Sequence, residues 1–292
     1  MAVWNLGSIN IDNVYRVPHL PAPGETLGAL DHSQGLGGKG ANMSVAIARA
    51  AARVTHIGAV GGDGGWCADR LMEYGVDTRC IARIPGAATG HANIAVAEDG
   101  ENQIVLFSGT NRQISDDAIG QALSTAAAGD FLVMQNETNG QVHAARMAHS
   151  LGLRVAYAAA PFDATAVSDV LPYADLLVLN EVEAEQLQNA LGQDLKDLGV
   201  ADIVVTLGGD GSRWIHAGQA DQTHIPAIPV TAVDTTGAGD TFTGFLIAGL
   251  DRGMPMAQAL TLATQAGALM VTRHGTADVI PDLKDIEDAR LA

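Results

Sequence analysis

The chain has little cysteine, few aromatic residues and few basic residues, and each scarcity excludes a class of protein. Its 292 residues include two cysteines, 4% aromatics, and 16 lysines and arginines against 33 acidic residues, for a net charge of −17. Cys67 and Cys80 show neither a CxxC spacing nor a partnering histidine, so we expect two reduced thiols. A charge this negative argues against nucleic acid or an anionic membrane as a general partner.

Long apolar runs are also missing. No segment has eighteen consecutive apolar residues, so we expect no membrane span. The N-terminus lacks the basic start and apolar stretch of a signal peptide, which predicts a cytoplasmic location. Because 47% of the residues are hydrophobic but few are aromatic, the core must consist mainly of Ala, Val, Leu and Ile. This composition is typical of Ala-rich helices packed on a Val- and Ile-rich sheet.

Apolar strands alternate with helical patterns along most of the chain. We predict strands over residues 3–9, 54–60, 131–134, 155–158, 176–179 and 203–207, and helices over residues 42–53, 66–74, 116–127 and 141–151. This alternation predicts an α/β fold with a doubly wound, mainly parallel sheet flanked by helices. Ligands of such sheets bind beyond the carboxyl ends of the strands, where the sequence places Asn10, Glu137, Asn180 and Gly208.

Two segments interrupt the alternation. Residues 12–37 carry three prolines and a Pro23-Gly24 turn before any helical pattern begins, which is too long for an ordinary connection. Residues 92–97 and 103–107 are predicted as the strands of a hairpin. We therefore predict a small β-sheet lid built from residues 12–34 and 90–110, beside a core of residues 1–11, 35–89 and 111–292.

The stretch DTTGAGDTFTGFLIAGL, residues 234–250, carries the strongest chemical signal. Gly237 and Gly239 bracket Ala238 and precede Asp240 at the start of a pattern with helical spacing. Small residues at a helix start leave backbone N–H groups exposed, and with the helix dipole these groups form an anion-binding site. Beside a phosphoryl group bound there, Asp240 could accept the proton of an attacking hydroxyl. The alternative is that Asp240 only caps the helix.

A second glycine-rich stretch, GLGGKGAN at residues 35–42, formally contains GxGxxG. The predicted strand lies far upstream and no acidic residue follows at the usual distance, so we exclude a dinucleotide site. No Gly-Lys-Ser/Thr is present either, which excludes a P-loop. The stretch offers backbone N–H donors, Lys39 and Asn42, which suit a polyhydroxylated or phosphorylated small molecule. A tight turn capped by Asn42 is the alternative.

Two further stretches allow both a structural and a functional interpretation. Asn180 and Glu183 match a capping box, but their oxygens could also face Mg²⁺ and its waters. TLGGDG at residues 206–211 could be a hairpin turn or a surface that a nucleotide approaches closely. The nine histidines show no metal-ligand spacing, so we expect them on the surface or in the core.

Taken in order, these motifs resemble one family over nearly the whole chain. GSINID, PGET, GGKGAN, MQNE, NEVE, TLGGDG and DTTGAGDTF are all similar to motifs of the PfkB carbohydrate kinases, and most closely of its ribokinase group. The resemblance implies a ribokinase-like fold and Mg²⁺-dependent transfer of the γ-phosphate of ATP to the primary 5-hydroxyl of ribose.

The resemblance also implies a role for individual residues. Asp240 would be the base, and the N–H groups of Gly237, Ala238 and Gly239 would form the anion hole. Residues at the sugar would be Asp12, Gly38, Lys39, Asn42, Glu137 and Asp240. Residues at the nucleotide would be Asn180, Thr206, Gly208, Gly211 and Gly239. Glu183 would hold Mg²⁺ through water, and the backbone around Asp234, Thr236, Arg273 and Gly275 would hold a monovalent cation, K⁺. The lid would form a homodimer contact.

The sequence departs from the family pattern at two places on the expected sugar side. Met43 stands where these kinases commonly carry Gln, and Ala158-Ala159-Ala160-Pro161 replaces Asn-Pro-Ala-Pro. Three alternatives to a ribose kinase therefore stay open. They are a kinase of another furanose, a ketose or a nucleoside; a catalytically silent sugar- or nucleotide-binding regulator; and, with least support, a dinucleotide-dependent oxidoreductase.

Overall fold

The computed structural model describes residues 1–218 and 222–289, which form two β-sheets and the helices packed on them. The strands are β1 (Val3–Leu6), β2 (Asn10–Arg16), β3 (Asp31–Gly37), β4 (Val54–Gly61), β5 (Ile81–Ile84), β6 (Gly90–Val96), β7 (Asn102–Phe107), β8 (Phe131–Met134), β9 (Arg154–Ala158), β10 (Leu176–Asn180), β11 (Asp202–Thr206), β12 (Ser212–His216) and β13 (Thr223–Ile225). The α-helices are α1 (Lys39–Arg49), α2 (Gly65–Glu73), α3 (Asp116–Leu123), α4 (Gln141–Ser150), α5 (Ala164–Val170), α6 (Glu181–Leu191), α7 (Ala238–Asp251), α8 (Met256–Met270) and α9 (Leu283–Ala289).

The large sheet has the order β13-β12-β11-β10-β9-β8-β1-β4-β5 in the described part of the chain. Strands β5 to β11 in this order pair in parallel, while β12 and β13 add an antiparallel edge. Because side chains alternate across a strand, Val133 packs on the face with α1 and α7, and Leu132 on the face with α4. Helices cover both faces, which confirms the predicted doubly wound, mainly parallel fold.

The first of the two interrupting segments and the predicted hairpin form a second, small sheet. Its order is β3-β2-β6-β7, with β2 parallel to β6 and the other pairs antiparallel. Every residue of the edge strand β7 is exposed. The domain boundaries drawn from the sequence stay a prediction. The chain passes directly from β1 of the large sheet into β2 of the small sheet, and from β3 of the small sheet into α1.

Several predicted elements differ from the structure. The prediction of one strand over residues 3–9 was wrong. Strand β1 ends at Leu6, and Asn10 is the first residue of β2 instead of the residue after the end of β1. The break comes at Gly7, where an added Cβ would lie 2.5 Å from the Gly40 Cα. The helix over 42–53 begins earlier, at Lys39, and the helix over 116–127 ends earlier, at Leu123. The sequence did not predict β5, β12 or β13.

The ends of two helices follow ordinary capping chemistry. Ser115 caps α3, its hydroxyl oxygen accepting the Ala118 N–H at 3.2 Å, and Gly75 follows α2 in a left-handed conformation. Both cysteines are free thiols. Within residues 1–218 and 222–289, no helix has the length and apolar character that crossing a membrane requires.

Candidate active site

Two helix N-termini meet at the carboxyl end of the large sheet. Helix α1 follows Gly38 and α7 follows Gly237, and both glycines have positive φ angles, 93° and 73°. The amide Nδ2 of Asn42 donates to Oδ2 of Asp240 at 2.8 Å, joining residues 198 positions apart. The structure thus brings together the two glycine-rich stretches that the sequence singled out.

Asp240 lies in the first turn of α7 and is only 7% exposed. Within the described chain no side chain caps α7, and the Asp240 carboxylate accepts from Asn42 instead, so the cap interpretation of Asp240 is wrong. The positive end of the helix dipole stabilises a carboxylate at this position. Asn42 is not a cap either, because it lies inside α1, whose N-cap is Gly38.

Lys39 is the cation of this cluster. The negative charge of Asp240, followed by those of Glu137 and Glu183, raises the pKa of Lys39 although burial opposes the shift. The ammonium is therefore charged at neutral pH, and it lies within electrostatic reach of carboxylates from three separate motifs, MQNE, NEVE and DTTGAGD.

Glu137 ties the MQNE motif to the start of α1. Its Oε2 accepts the backbone N–H of Lys39 at 3.0 Å and also accepts the Ser8 hydroxyl. The Ser8 oxygen in turn accepts the Gly40 N–H at 3.2 Å. Ser8 belongs to the GSINID motif but was not singled out from the sequence, because nothing local distinguishes its hydroxyl from that of any other serine.

Asp12 on β2 completes the acidic side of the cleft. Burial, with the charge of Glu137 added, raises the pKa of Asp12 to about 7. A Cβ on Gly37 of the neighbouring strand would lie within 2.0–2.4 Å of the Asp12 carboxyl atoms. This position therefore has to be glycine if the carboxylate is to keep its place.

A small cavity of about 50 Å³ lies beside Glu137, between Asn10, Asn111, Arg112 and Leu106 of β7. Asn111 Nδ2 donates to Asn10 Oδ1 at 2.7 Å. Asn111 and Arg112 were not predicted from the sequence. They follow the hairpin on a short turn, and only the fold shows that this turn reaches the MQNE motif.

A larger cavity of about 370 Å³ lies on the other side of Ala238 and Gly239. It is lined by Thr206, Gly208, Gly209 and Gly211, by residues 227–230, and by apolar positions of α7 and α8. The sequence stretch TLGGDG forms the turn between antiparallel β11 and β12, as one of its two interpretations predicted, and its role at a nucleotide stays a prediction. The apolar segment 227–230 was missed, because an irregular run after a short strand gives no periodic signal.

Asn180 and Glu183 form the capping box that local chemistry favoured. Asn180 Oδ1 accepts the Glu183 N–H and Glu183 Oε2 accepts the Asn180 N–H, both at 2.8 Å. Burial raises the pKa of Glu183, although the Asn180 N–H and the Lys39 charge oppose the shift. The second oxygen of Glu183 remains for an outer contact to a hydrated cation.

The residues expected at a monovalent cation also lie together. The Asp234 carboxylate accepts the N–H of Thr236 at 2.9 Å and that of Gly275 at 3.2 Å. Burial alone would raise the pKa of Asp234, but these hydrogen bonds outweigh that effect and hold the pKa below its ordinary value. The Arg273 guanidinium donates to Asp285 at 3.1 Å, away from this loop. Only the backbone of Arg273 could therefore contact a cation here.

No group of three or more His, Cys, Asp or Glu side chains in residues 1–218 and 222–289 could hold a metal ion by itself. A hydrated Mg²⁺ fits this donor set better than a fully coordinated metal does, because Mg²⁺ keeps most of its waters and takes few protein ligands. His56, for example, is a fully buried core residue, in line with the expectation for the histidines.

Known proteins resemble this chain over almost its whole length. A family model described as pfkB family carbohydrate kinase matches residues 3–283. The chain is 36% identical over 291 residues to ribokinase of Haemophilus influenzae, covering 94% of each protein. It is 30% identical to deoxyribokinase of Salmonella typhi, covering 99% of this chain and 98% of that protein. The structure of Arabidopsis thaliana ribokinase complexed with ribose and ATP superposes with a TM-score of 0.87 at 28% identity, covering 99% of this chain and 98% of that one. This chain therefore belongs to the pfkB family of carbohydrate kinases and is a phosphotransferase with an alcohol acceptor.

Proposed function

We propose that the chain is an ATP-dependent ribose kinase, which transfers the γ-phosphate to the 5-hydroxyl with Asp240 as general base. The observation that carries this proposal is the position of the first turn of α7. Ala238 and Gly239 line the larger cavity, and the next residue, Asp240, contacts the sugar-side residue Asn42. A group transferred between the two sides has to pass this turn.

Asp240 accepts the hydroxyl proton as the oxygen attacks. Its bond from Asn42 fixes the carboxylate, and its low exposure keeps bulk water from competing for the proton. The N–H groups of Gly237, Ala238 and Gly239 form the anion hole, since the first N–H groups of a helix lack intrahelical partners. The Ala238 N–H donates to the Thr235 carbonyl at 3.2 Å in this structure, so it has to share or leave that bond when it contacts the transferred group.

The sugar side holds and orients the acceptor. Asp12 and Glu137 accept hydrogen bonds from sugar hydroxyls, while Lys39, Asn42 and the Gly38 backbone donate to them. The cleft therefore offers both acceptors and donors, which suits a ligand that carries several hydroxyl groups. Closure of the small sheet over this cleft as a lid would exclude water and protect the phosphoryl group from hydrolysis.

The nucleotide side holds ATP in the larger cavity, against Thr206, Gly208 and Gly211, with Asn180 and Gly239 towards the phosphates. Glu183 would hold Mg²⁺ through water, and the bound ion would neutralise phosphate charge. The backbone around Asp234, Thr236, Arg273 and Gly275 would hold K⁺. Its positive charge would add to the electrostatic attraction that the anion hole exerts on the phosphoryl group.

Ribose is favoured among the sugars because the residues expected at ribose are all present in one cleft. Met43, one departure from the family pattern, is 2% exposed and accepts a contact from Gln135 Nε2 at 3.1 Å, so it changes the support of the cleft rather than its lining. The other departure lies at the end of β9, where Ala158, Ala159 and Ala160 offer no side-chain hydrogen bonds to a ligand.

A coupled assay of ADP release over a panel of sugars tests the proposal. We expect the highest kcat/KM with ribose, and lower values with deoxyribose, fructose and nucleosides. Good turnover of fructose or a nucleoside with none of ribose would refute the choice of sugar. Calorimetric sugar binding without ADP release from any of them would indicate a silent binding protein instead.

We also propose a homodimer that forms through the small sheet. Strand β7 exposes Ile104, Val105, Leu106 and Phe107, each between 49% and 62%, which is an unusual apolar edge for a charged protein. Light scattering tests this proposal with V105K, which places a charge on the edge. A wild-type chain that is monomeric at micromolar concentration, or a V105K variant that stays dimeric, would contradict it.

A further inference from the structure

A chain of buried polar side chains lies beneath the start of α1, and the proposed mechanism assigns none of them a role. Asn5, Ser44, His56 and Gln135 are all fully buried and come from β1, α1, β4 and the turn after β8. Buried polar groups destabilise a fold unless they are hydrogen-bonded, so such a cluster in an otherwise apolar core requires an explanation.

The hydrogen bonds of this cluster run in one direction. Gln135 Nε2 donates to Asn5 Oδ1 at 2.9 Å, and Asn5 Nδ2 donates to the Ser44 oxygen at 2.8 Å. Ser44 then donates to His56 Nδ1 at 2.8 Å, and His56 Nε2 donates to the carbonyl of Gly7 at 3.1 Å. The last bond fixes the tautomer, because a carbonyl only accepts. Burial lowers the pKa of His56 to about 4, so the imidazole is neutral and its Nδ1 is free to accept.

Two members of this chain, Asn5 and His56, bond to backbone carbonyls beside the candidate active site. Asn5 Nδ2 also donates to the carbonyl of Gly40 at 2.7 Å, in the first turn of α1. The Gly7 and Gly40 backbones touch, since a Cβ on Gly40 would lie 2.3 Å from the Gly7 Cα. Gly58 leaves room for the last bond, because a Cβ there would lie 2.7 Å from His56 Nε2. The polar chain therefore holds the carbonyls of Gly7 and Gly40 in fixed positions.

We propose that Gln135, Asn5, Ser44 and His56 are positioning residues that hold the first turn of α1, and with it Lys39 and Asn42, at the distance that the sugar cleft requires. Asn42 orients Asp240, and the Lys39 N–H binds Glu137, so a displaced first turn would disturb the sugar contacts and the base together. None of the four positioning residues lines the larger cavity, the proposed nucleotide site, which is built from residues 206–211, 227–230, α7 and α8.

The first test measures the backbone and does not depend on the proposed function. Hydrogen exchange of the ligand-free protein reports on the amides of residues 39–42, which bond to Glu137, Ser8 and Gly38. We expect S44A, which removes the middle link, to speed exchange at these amides at least about tenfold, as expected when local opening becomes easier by the value of one buried hydrogen bond. Exchange in α4 on the opposite face should not change.

The second test is kinetic and rests on the proposed sugar kinase function. S44A should raise the KM for ribose about tenfold and leave the KM for ATP within about twofold, because a misplaced cleft weakens only the substrate that it binds. H56Q provides a second variant if S44A is too unstable. Its amide can still donate to Gly7 but cannot serve Ser44, so its effects should be in the same direction and smaller.

I57V is the matched control. Ile57 is the next residue of β4 and is fully buried, but it packs on the other face of the sheet, so the variant loosens the core without touching the polar chain. If S44A and H56Q change neither exchange at residues 39–42 nor the ratio of the two KM values beyond what I57V does, the positioning role is wrong. If the wild type phosphorylates no sugar, the proposed function fails and the exchange result alone decides this inference.

Discussion

The proposed sugar side and the proposed nucleotide side of the cleft are built by opposite means. On the sugar side, long-range hydrogen bonds between side chains hold the lining in place, as between Asn42 and Asp240 or Asn10 and Asn111. On the nucleotide side, glycines and apolar side chains line the cavity. Polar side chains read the positions of hydroxyl groups, whereas glycines allow the backbone to approach phosphates closely. Substitutions on the first side should therefore affect chemistry and sugar recognition, and those on the second side should affect shape.

Asp240 lies between the two sides, and its substitution should have the largest effect. D240N keeps the size of the side chain but cannot accept the proton, so kcat should fall at least about a hundredfold. Nucleotide affinity, measured by calorimetry, should stay nearly the same. If D240N turns over at close to the wild-type rate, Asp240 has no role as a base and the two sides share no catalytic residue.

G211A tests shape on the nucleotide side. Gly211 has a φ angle of 96°, and a Cβ there would lie 2.1 Å from the Ile225 carbonyl oxygen. Such a clash costs roughly 1–3 kcal/mol, so nucleotide affinity should fall by a factor of about ten or more. Gly209 is the control, because its φ angle is unexceptional and a Cβ there would meet no atom of the described chain within 4 Å. Equal losses in G211A and G209A would refute this account of the cavity.

E137Q tests recognition on the sugar side. Glutamine keeps the shape of Glu137 but replaces one acceptor oxygen by an N–H₂ group. That group is a donor, and it would face either the donors Ser8 and Lys39 N–H or the hydroxyl groups of the sugar. The KM for ribose should rise about tenfold while the KM for ATP changes little, because an acceptor is lost from the sugar side only. E185Q, at an exposed position of α6, is the control. A matching rise in the KM for ATP would remove the distinction between the two sides.

The smallest effect should be the pH dependence contributed by Asp12. Because its folded pKa of about 7 lies above the ordinary value of 3.8, the folded state holds this proton more tightly than the unfolded state. Its stabilising contribution is therefore complete at low pH and is lost as the pH rises through about 7. The carboxylate that binds sugar forms over the same range, so the KM for ribose should fall several-fold between pH 6 and pH 8.

D12N should remove both dependences. Its KM for ribose should be raised and insensitive to pH, and its thermal stability relative to wild type should improve from pH 6 to pH 8. Stability and KM profiles of D12N that parallel those of wild type would show that another group titrates in this range.

Much of the fold could be predicted from the sequence, because strand–helix alternation is a local signal, and the glycine-rich stretches were enough to locate the candidate site. The errors have local causes too. Ile9 extends an apolar run past Leu6, and only the contact between Gly7 and Gly40 shows why β1 stops there. The bond from Asn42 to Asp240 could not be predicted, because it joins helices 198 positions apart. Ser44 and His56 carry no distinguishing signal in the sequence, and only the fold shows that they contact each other.

The central claim is that the first turn of α7 directs a phosphoryl group onto the primary hydroxyl of ribose. Proton-coupled phosphorus NMR of the product of ribose and ATP tests it most directly. A phosphate on the 5-oxygen couples to the two protons of a methylene group, so the account predicts a new triplet that grows with ADP. A doublet, which indicates transfer to an oxygen whose carbon carries a single proton, or inorganic phosphate as the only product would contradict it.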